Sequence, residues 1–302
     1  MTQQNAIQVQ GLCYGYDESW GLNGVSFNVP RGSVYGFLGP NGSGKSTTIQ
    51  LLMGFLESQA GSVDVLGLDP RRQPVDLKRS VGYISERQSF YDWMRVDELM
   101  AFVAHYRQEW DAAFAEHLRQ RFGLDPRRPV GRLSKGEQAM VALLLALAFR
   151  PPLLIFDEPT SALDPGARRR FFEGVLAEYQ EDGGTVFVSS HLIHEIAGLV
   201  DNVGILARGE LLSSRTVEQF YNDIRRYRLS FTEAPVGEWD LPGQLTAIQD
   251  GRQVVVTIDL SLAKEAEVQA ALGSRRPFRI EEEKMTLEEI FLAVVDGGSA
   301  DG

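Results

Sequence analysis

Short segments near the start of the chain alternate in polarity. "IQVQGL" and "GVSFNV", between Ile7 and Pro30, set apolar and polar residues in turn and are broken by Gly, Asn and Asp, which predicts antiparallel strands joined by turns. The compact run "GSVYGFL" then leads through a glycine-rich turn into a segment whose Ile49, Leu52, Met53 and Leu56 share one helical face. Between Trp93 and Leu124, Leu99, Phe102, Val103, Tyr106, Trp110, Phe114 and Leu118 recur at helical spacing, so this region reads as helix. A further helix is expected from about Ala139 to Phe149, stopped by "RPP" because a residue before proline disfavours the helical region. "LLIFDEPT" has the unbroken apolar character of a strand buried on both faces, and "TVFVSS" repeats it after a helix containing Phe171, Phe172, Val175 and Leu176. Strand, helix and strand in that order predict a right-handed crossover and a parallel sheet.

Past "VGILARGELLSS" the pattern changes. "RYRLSF", "QLTAIQ" and "RQVVVTIDL" alternate like strands, the last two joined by Asp250-Gly251, a strong hairpin signal, and "LAKEAEVQAALG" and "TLEEIFLAVV" read as helices. A boundary near Ser213 to Thr216 is therefore expected, with a large α/β unit over residues 1–215 and a small α+β unit over residues 216–302.

Composition narrows the function. The chain of 302 residues is 43% hydrophobic, enough to bury a core, and sets 41 acidic residues against 30 basic ones. A net charge of −11 argues against a general nucleic-acid or anionic-lipid face, so any phosphate binding must be local. The basic clusters Arg71-Arg72, Arg127-Arg128 and Arg168 to Arg170 read as solvated faces. The lone cysteine, Cys13, excludes an internal disulfide framework and a cysteine-based zinc site, and reads as a small buried side chain. The N-terminus lacks a basic segment followed by an apolar core, so no secretion leader is expected. The longest apolar run, Ala139 to Phe149, falls short of the ~20 residues that cross a bilayer.

The chemistry is concentrated in two motifs. "GPNGSGKSTT", Gly39 to Thr48, fits G-x-x-x-x-G-K-S/T with Gly39, Gly44, Lys45 and Ser46 in place. Its glycines let backbone N–H groups converge on phosphate oxygens, Lys45 reaches the terminal phosphates, and the Ser46 hydroxyl can ligate Mg²⁺. "LLIFDEP" ends a buried strand in two carboxylates, Asp157 and Glu158. Buried carboxylates are costly, so such a pair calls for a metal or a catalytic role, with Asp157 holding Mg²⁺ through water and Glu158 polarising the attacking water. No N-K-x-D guanine-reading tetrad occurs in the chain.

With "GRLSKGEQ" before "LLIFDEPTSALD" and "SSH" after it, the order and spacing of motifs over roughly Ile7 to Leu212 resemble the ATP-binding cassette of ABC transporters. The resemblance implies a P-loop NTPase fold: a mixed RecA-like core, an antiparallel β subdomain and a helical subdomain at about residues 87–150, followed here by the small α+β domain. It implies ATP and Mg²⁺ as cofactors, with Gly39, Asn41, Gly42, Gly44, Lys45, Ser46 and Thr47 on the phosphates and Tyr16, with Tyr14 as its neighbouring competitor, stacked on adenine. "LSKGE", Leu133 to Glu137, is similar to the family signature LSGGQ, by which Ser134 and Gly136 contact the γ-phosphate held by a second cassette; Lys135 and Glu137 depart from it, and Glu137 would oppose the phosphate charge. "SALD", Ser161 to Asp164, resembles the loop joining the two sites of such a dimer, and His191 the histidine that contacts the γ-phosphate and positions the water. A zinc reading of "HLIHE" lacks a third ligand.

Where most members carry a glutamine that touches Mg²⁺, this chain has Glu86, with Gln88 two residues on. A carboxylate still ligates Mg²⁺. This substitution resembles those in bacterial cassettes serving exporters whose membrane protein is a separate chain. The partners so implied are an integral membrane permease and a second cassette, with no nucleic acid, at the cytoplasmic face of the cell membrane. Phe90, Tyr91, Trp93 and Met94 read equally as core or as a pocket for a partner's helix. The rival is a soluble ABC ATPase acting on ribosomes or DNA, but the chain has neither a second cassette nor a long coiled coil. An inactive nucleotide-sensing module is disfavoured by Glu158 and His191.

Overall fold

The computed structural model describes residues 4–17, 20–107, 109–161, 163–175, 178–179 and 183–298. The first part of the chain forms β1 (Asn5–Asp17), β2 (Trp20–Pro30), β3 (Val34–Leu38), α1 (Lys45–Leu52), β4 (Ala60–Val65), α2 (Pro74–Ser80) and β5 (Val81–Ile84). Next come α3 (Val96–Tyr106), α4 (Ala112–Arg121), α5 (Lys135–Leu147), β6 (Leu153–Asp157), α6 (Pro165–Val175), β7 (Thr185–Ser190), α7 (Ile193–Ile196), β8 (Asn202–Ala207) and β9 (Glu210–Thr216). The last part gives α8 (Val217–Asp223), β10 (Ile224–Ser230), β11 (Gln244–Asp250), β12 (Gln253–Asp259), α9 (Glu265–Ser274), β13 (Arg279–Glu283) and α10 (Leu287–Gly297).

A six-stranded sheet in the order β5-β6-β7-β3-β8-β9 is parallel from β5 to β8, with β9 antiparallel at its edge. β3, β6 and β7 are buried at every position, as strands covered on both faces must be. One face meets α1 and the antiparallel sheet β2-β1-β4, where Phe27 of β2 sits 5.7 Å from Tyr35, 5.3 Å from Phe37 and 5.9 Å from Phe187, ring centre to ring centre. The other face carries α3, α4, α5 and α6. The mixed α/β architecture with its crossovers is the one the hydrophobic pattern implied.

Three local expectations needed correction. The predicted helix from Trp93 to Leu124 is two helices, because Asp111 caps α4 by accepting from the Phe114 N–H at 2.9 Å, which starts a new helix at that point. α5 begins four residues before the apolar run that announced it, since Ser134 and Glu137 form a reciprocal capping box at its start. Cys13 is half-buried rather than buried, its Sγ accepting from the Gly24 N–H at 3.2 Å.

The small sheet, in the order β11-β12-β10-β13, is antiparallel, and α9 closes one face through Val268 and Leu272. The edge strand β13, with its charged sequence "RIEEE", escaped the sequence reading because it lacks apolar alternation. α10 packs with α7, α8 and β8: Leu287, Ile290, Phe291 and Val294 are buried in the same cluster as Ile193, Val203 and Phe220. Among the described residues no helix is long and apolar enough to cross a membrane.

Arg215, near the end of β9, joins the two sheets. Its guanidinium donates to both carboxylate oxygens of Asp259 on β12, at 3.0 and 2.6 Å, and to Asp223 of α8 at 3.3 Å. Burial of Asp259 opposes its charge, yet the Arg215 bonds and the Ser261 N–H outweigh this and hold its carboxyl below the usual range. A depressed carboxyl stabilises the fold above its unfolded pKa and loses that contribution as pH falls through the folded value. Arg215→Ala is therefore expected to cost about 3–5 kcal/mol at neutral pH, by leaving a buried carboxylate unpaired. In urea denaturation against pH, the gap to the parent should close as the pH falls below about 4.

Candidate nucleotide site

The strand order alone assembles the site. β6, β7 and β3 are neighbours, and their C-terminal ends are level: Asp157 pairs with Ser189, and Ser190 with Leu38. The phosphate loop, Asp157-Glu158 and His191 therefore emerge at one edge of a parallel sheet, the edge where open α/β sheets bind ligands. Asn41, Gly42, Gly44, Lys45, Ser46, Thr47, Glu86, Glu158, Ser161 and His191 line one cavity of about 340 Å³.

Two glycines of the loop answer to geometry. Gly44 holds φ +107°, in the left-handed region, immediately before α1. At Gly39 a Cβ would lie 2.2 Å from the Leu206 carbonyl oxygen, so any side chain would push the loop off β8. Lys45 Nζ curls back over the loop, donating to the Gly39 carbonyl at 2.9 Å and the Pro40 carbonyl at 3.2 Å, and pairs with Glu158 Oε1 at 3.1 Å.

Asp157, 5% exposed, is the hub. Its Oδ1 accepts from Ser46 Oγ at 3.0 Å and from Ser189 Oγ at 2.9 Å, and the Ser189 oxygen in turn accepts the Glu158 N–H at 3.0 Å. Burial raises the Asp157 carboxyl above the usual range; the two serine bonds work against this, while the charges of Glu158 and Glu86 add to it. The same environment pushes the Tyr83 hydroxyl up to about 12, through burial first and then the Asp157 charge. Glu158 holds φ +44°, a strained value for a side-chain-bearing residue, and its Oε2 lies 2.6 Å from His191 Nδ1.

Oxygen donors dominate this corner. A Ser46 hydroxyl and the carboxylates of Asp157 and Glu86 are hard ligands suited to Mg²⁺, which takes one or two carboxylates with waters and substrate phosphates rather than an all-protein cage. Among the described residues no group of three or more His, Cys, Asp or Glu side chains could hold a metal ion alone.

Other predicted residues lie elsewhere. Ser134 and Gly136 line a separate cavity of about 580 Å³ with Arg121, Arg170 and Glu173, so the two halves of the predicted site do not meet within one chain. Glu137 there accepts the Ser134 N–H at 2.7 Å and Arg128 Nη1 at 2.7 Å; the Ser134 backbone bond first, then the Ser134 side chain and Arg128, hold its carboxyl below the usual range against burial. Its charge is thus spent on the helix start instead of facing a phosphate unscreened. Gln88 lines a cavity with Phe90 and Arg107, leaving Glu86 in the phosphate-loop cavity. The Tyr16 side chain lies outside the described residues, and Tyr14 packs against the core. Of the four aromatic-segment residues, Phe90 and Met94 pack on the core, whereas Tyr91 and Trp93 are 52% and 71% exposed.

Sequence reading missed Ser189. A hydroxyl inside the fully buried strand β7 was the available signal, since a buried polar side chain needs a partner.

The parallel sheet, the phosphate loop and the carboxylates at the end of β6 define a P-loop ATPase cassette. A family profile described as ABC transporter matches residues 22–161. The bacitracin transport ATP-binding protein BcrA of Bacillus licheniformis is 30% identical over 73% of this chain and 73% of that protein. The lantibiotic transport ATP-binding protein SrtF of Streptococcus pyogenes is 30% identical over 72% of this chain and 96% of its own length. A solved ATP-binding subunit of an ABC transporter superposes with TM-score 0.65 at 27% identity, covering 72% of this chain and 92% of that one. The chain belongs to the ATP-binding proteins of ABC transporters, a family that hydrolyses ATP.

Lys45→Ala removes the loop's cation, and is expected to weaken ATP binding at least about tenfold, as loss of a charge-assisted contact does. Titration with a fluorescent ATP analogue checks this; unchanged affinity would count against the loop assignment.

Proposed function

We propose that the chain powers a bacterial exporter, driving a separate membrane permease through nucleotide-dependent pairing with a second cassette at the cytoplasmic face of the membrane. The similarity to proteins named for bacitracin and lantibiotic transport supports the exporter reading. The observation that carries the hydrolytic reading is the meeting of Lys45, Glu158 and His191 around one cavity beside Asp157. In this reading the N–H groups of the loop from Gly39 to Thr47, including Asn41 and Gly42, hold the phosphates, and Lys45 takes their terminal charge. Glu158 accepts a proton from the attacking water, and His191 holds Glu158 in place while facing the γ-phosphate. Ser46, Asp157 and Glu86 would hold Mg²⁺, which supplies charge neutralisation when bound. Ser134 and Gly136 serve the partner's nucleotide, since their cavity is distinct. Tyr16 stacks on adenine. Residues 1–215 act as the cassette and 216–302 as an appended α+β domain.

Glu158→Gln is expected to abolish turnover while leaving ATP bound, seen as a dimer by size-exclusion chromatography with ATP present. Hydrolysis at the parent rate would sink Glu158 as the base. The tagged chain is also expected to retain an integral membrane protein through detergent purification; recovery of ribosomes would overturn the transport reading.

A further inference from the structure

His191 is followed after one residue by α7, and α7 is gripped by two elements. At Gly36 of β3, the strand that feeds the phosphate loop, a Cβ would lie 3.0 Å from Val200 Cγ1 and 3.3 Å from Ile196 Cδ1, so α7 and the turn after it seat directly on that strand. α10 supplies the second grip: Ile193 and Ile196 of α7, 3% and 1% exposed, share a core with Ile290, Phe291 and Val294 of α10. The link back to His191 is short and stiff, because Ser190 Oγ accepts the Leu192 N–H at 2.9 Å and donates to the Leu192 carbonyl at 3.2 Å, closing a turn around the histidine.

α10 is itself anchored in the small sheet. Thr286 and Glu289 cap its start reciprocally, and Glu289 Oε1 accepts Arg226 Nη1 of β10 at 2.6 Å. At its far end, a Cβ on Gly297 would lie 2.9 Å from the Leu245 carbonyl of β11. The helix thus bridges the small sheet and the segment that carries the histidine.

We infer that α10 is a positioning element for hydrolysis: Ile290, Phe291 and Val294 hold α7, and through it His191, against Glu158. This rests on the hydrolytic reading of Glu158 and His191 given above. A catalytic group displaced by about 1 Å loses up to about a hundredfold in rate, so slack beneath α7 acts on turnover while the phosphate loop and its affinity for ATP are untouched. The C-terminal segment then sets the rate of the site rather than its occupancy.

The test uses the full chain and measures kcat and ATP affinity separately. Phe291→Ala is expected to lower kcat about tenfold with the Kd for ATP within about twofold, and Phe291→Leu to restore turnover. Leu292→Ala, at a half-exposed position of the same helix, should match the parent. In a His191→Ala background Phe291→Ala should cost nothing further, since the two changes act through one group. If Phe291→Ala does not fold, Val294→Ala carries the same expectation. An unchanged kcat, a loss of ATP affinity parallel to kcat, or an equal loss with and without His191 would overturn the inference while leaving the site reading intact. Full hydrolysis by His191→Ala alone would instead overturn the site reading, and the inference with it.

Discussion

One oxygen organises this protein. Asp157 Oδ1 takes hydrogen bonds from Ser46 at the start of α1 and from Ser189 near the end of β7, residues separated from it by more than thirty positions on one side and more than a hundred on the other. A carboxylate this deeply buried is tolerable only with such partners. The bonds form only if β6 lies beside β7, β7 beside β3, and all three strands end level. Sheet order, register and site are therefore one constraint. The strained backbone of Glu158 is held by the same group, because its N–H ends on Ser189 Oγ.

The fold was legible where burial writes a period into the chain. Strands covered on both faces are apolar throughout, so β6 and β7 were plain, and Asp250-Gly251 marked its hairpin. Reading failed where polar side chains set the boundaries. The capping box of Ser134 and Glu137 starts α5 ahead of its hydrophobic run, and Asp111 splits one apparent helix into two. β13 was invisible for the opposite reason: as a charged edge strand it protects an open sheet edge and buries little. Nor does the amphipathic pattern of α10 say which surface it covers; its apolar face serves the core around α7, beyond the small sheet that precedes it in sequence.

Within the site, contiguous motifs were readable because the chemistry of phosphate binding needs residues at fixed offsets. Gly39, Gly44, Lys45 and Ser46 lie in one loop, and Asp157 and Glu158 are adjacent. Contacts across the sheet carry no such spacing. Glu86, read at the position where most members carry a glutamine, lines the phosphate-loop cavity while Gln88 lines another, and Ser189 became visible only once β6 and β7 were paired. The Glu137 departure from the family signature changed meaning too: the carboxylate faces the Ser134 N–H and Arg128, so it stabilises the helix whose N-terminus the signature presents.

The charge balance of the cavity explains what an acidic protein does with a phosphate loop. Lys45 is set against Glu158, with Asp157 and Glu86 close by, so side-chain charge in this corner is net negative even before a polyphosphate arrives. Beyond the single cation of Lys45, attraction must come from oriented N–H groups, which the glycines permit and which carry no formal charge. Those dipoles act at contact range and do nothing to cancel repulsion between the phosphates and the carboxylates. A divalent cation would cancel it, held by Ser46, Asp157 and Glu86, which is the electrostatic reason for the Mg²⁺ proposed above. On that proposal the carboxylate at position 86 would strengthen the dependence, since each negative group added at the rim makes occupancy by a nucleotide without a cation less favourable.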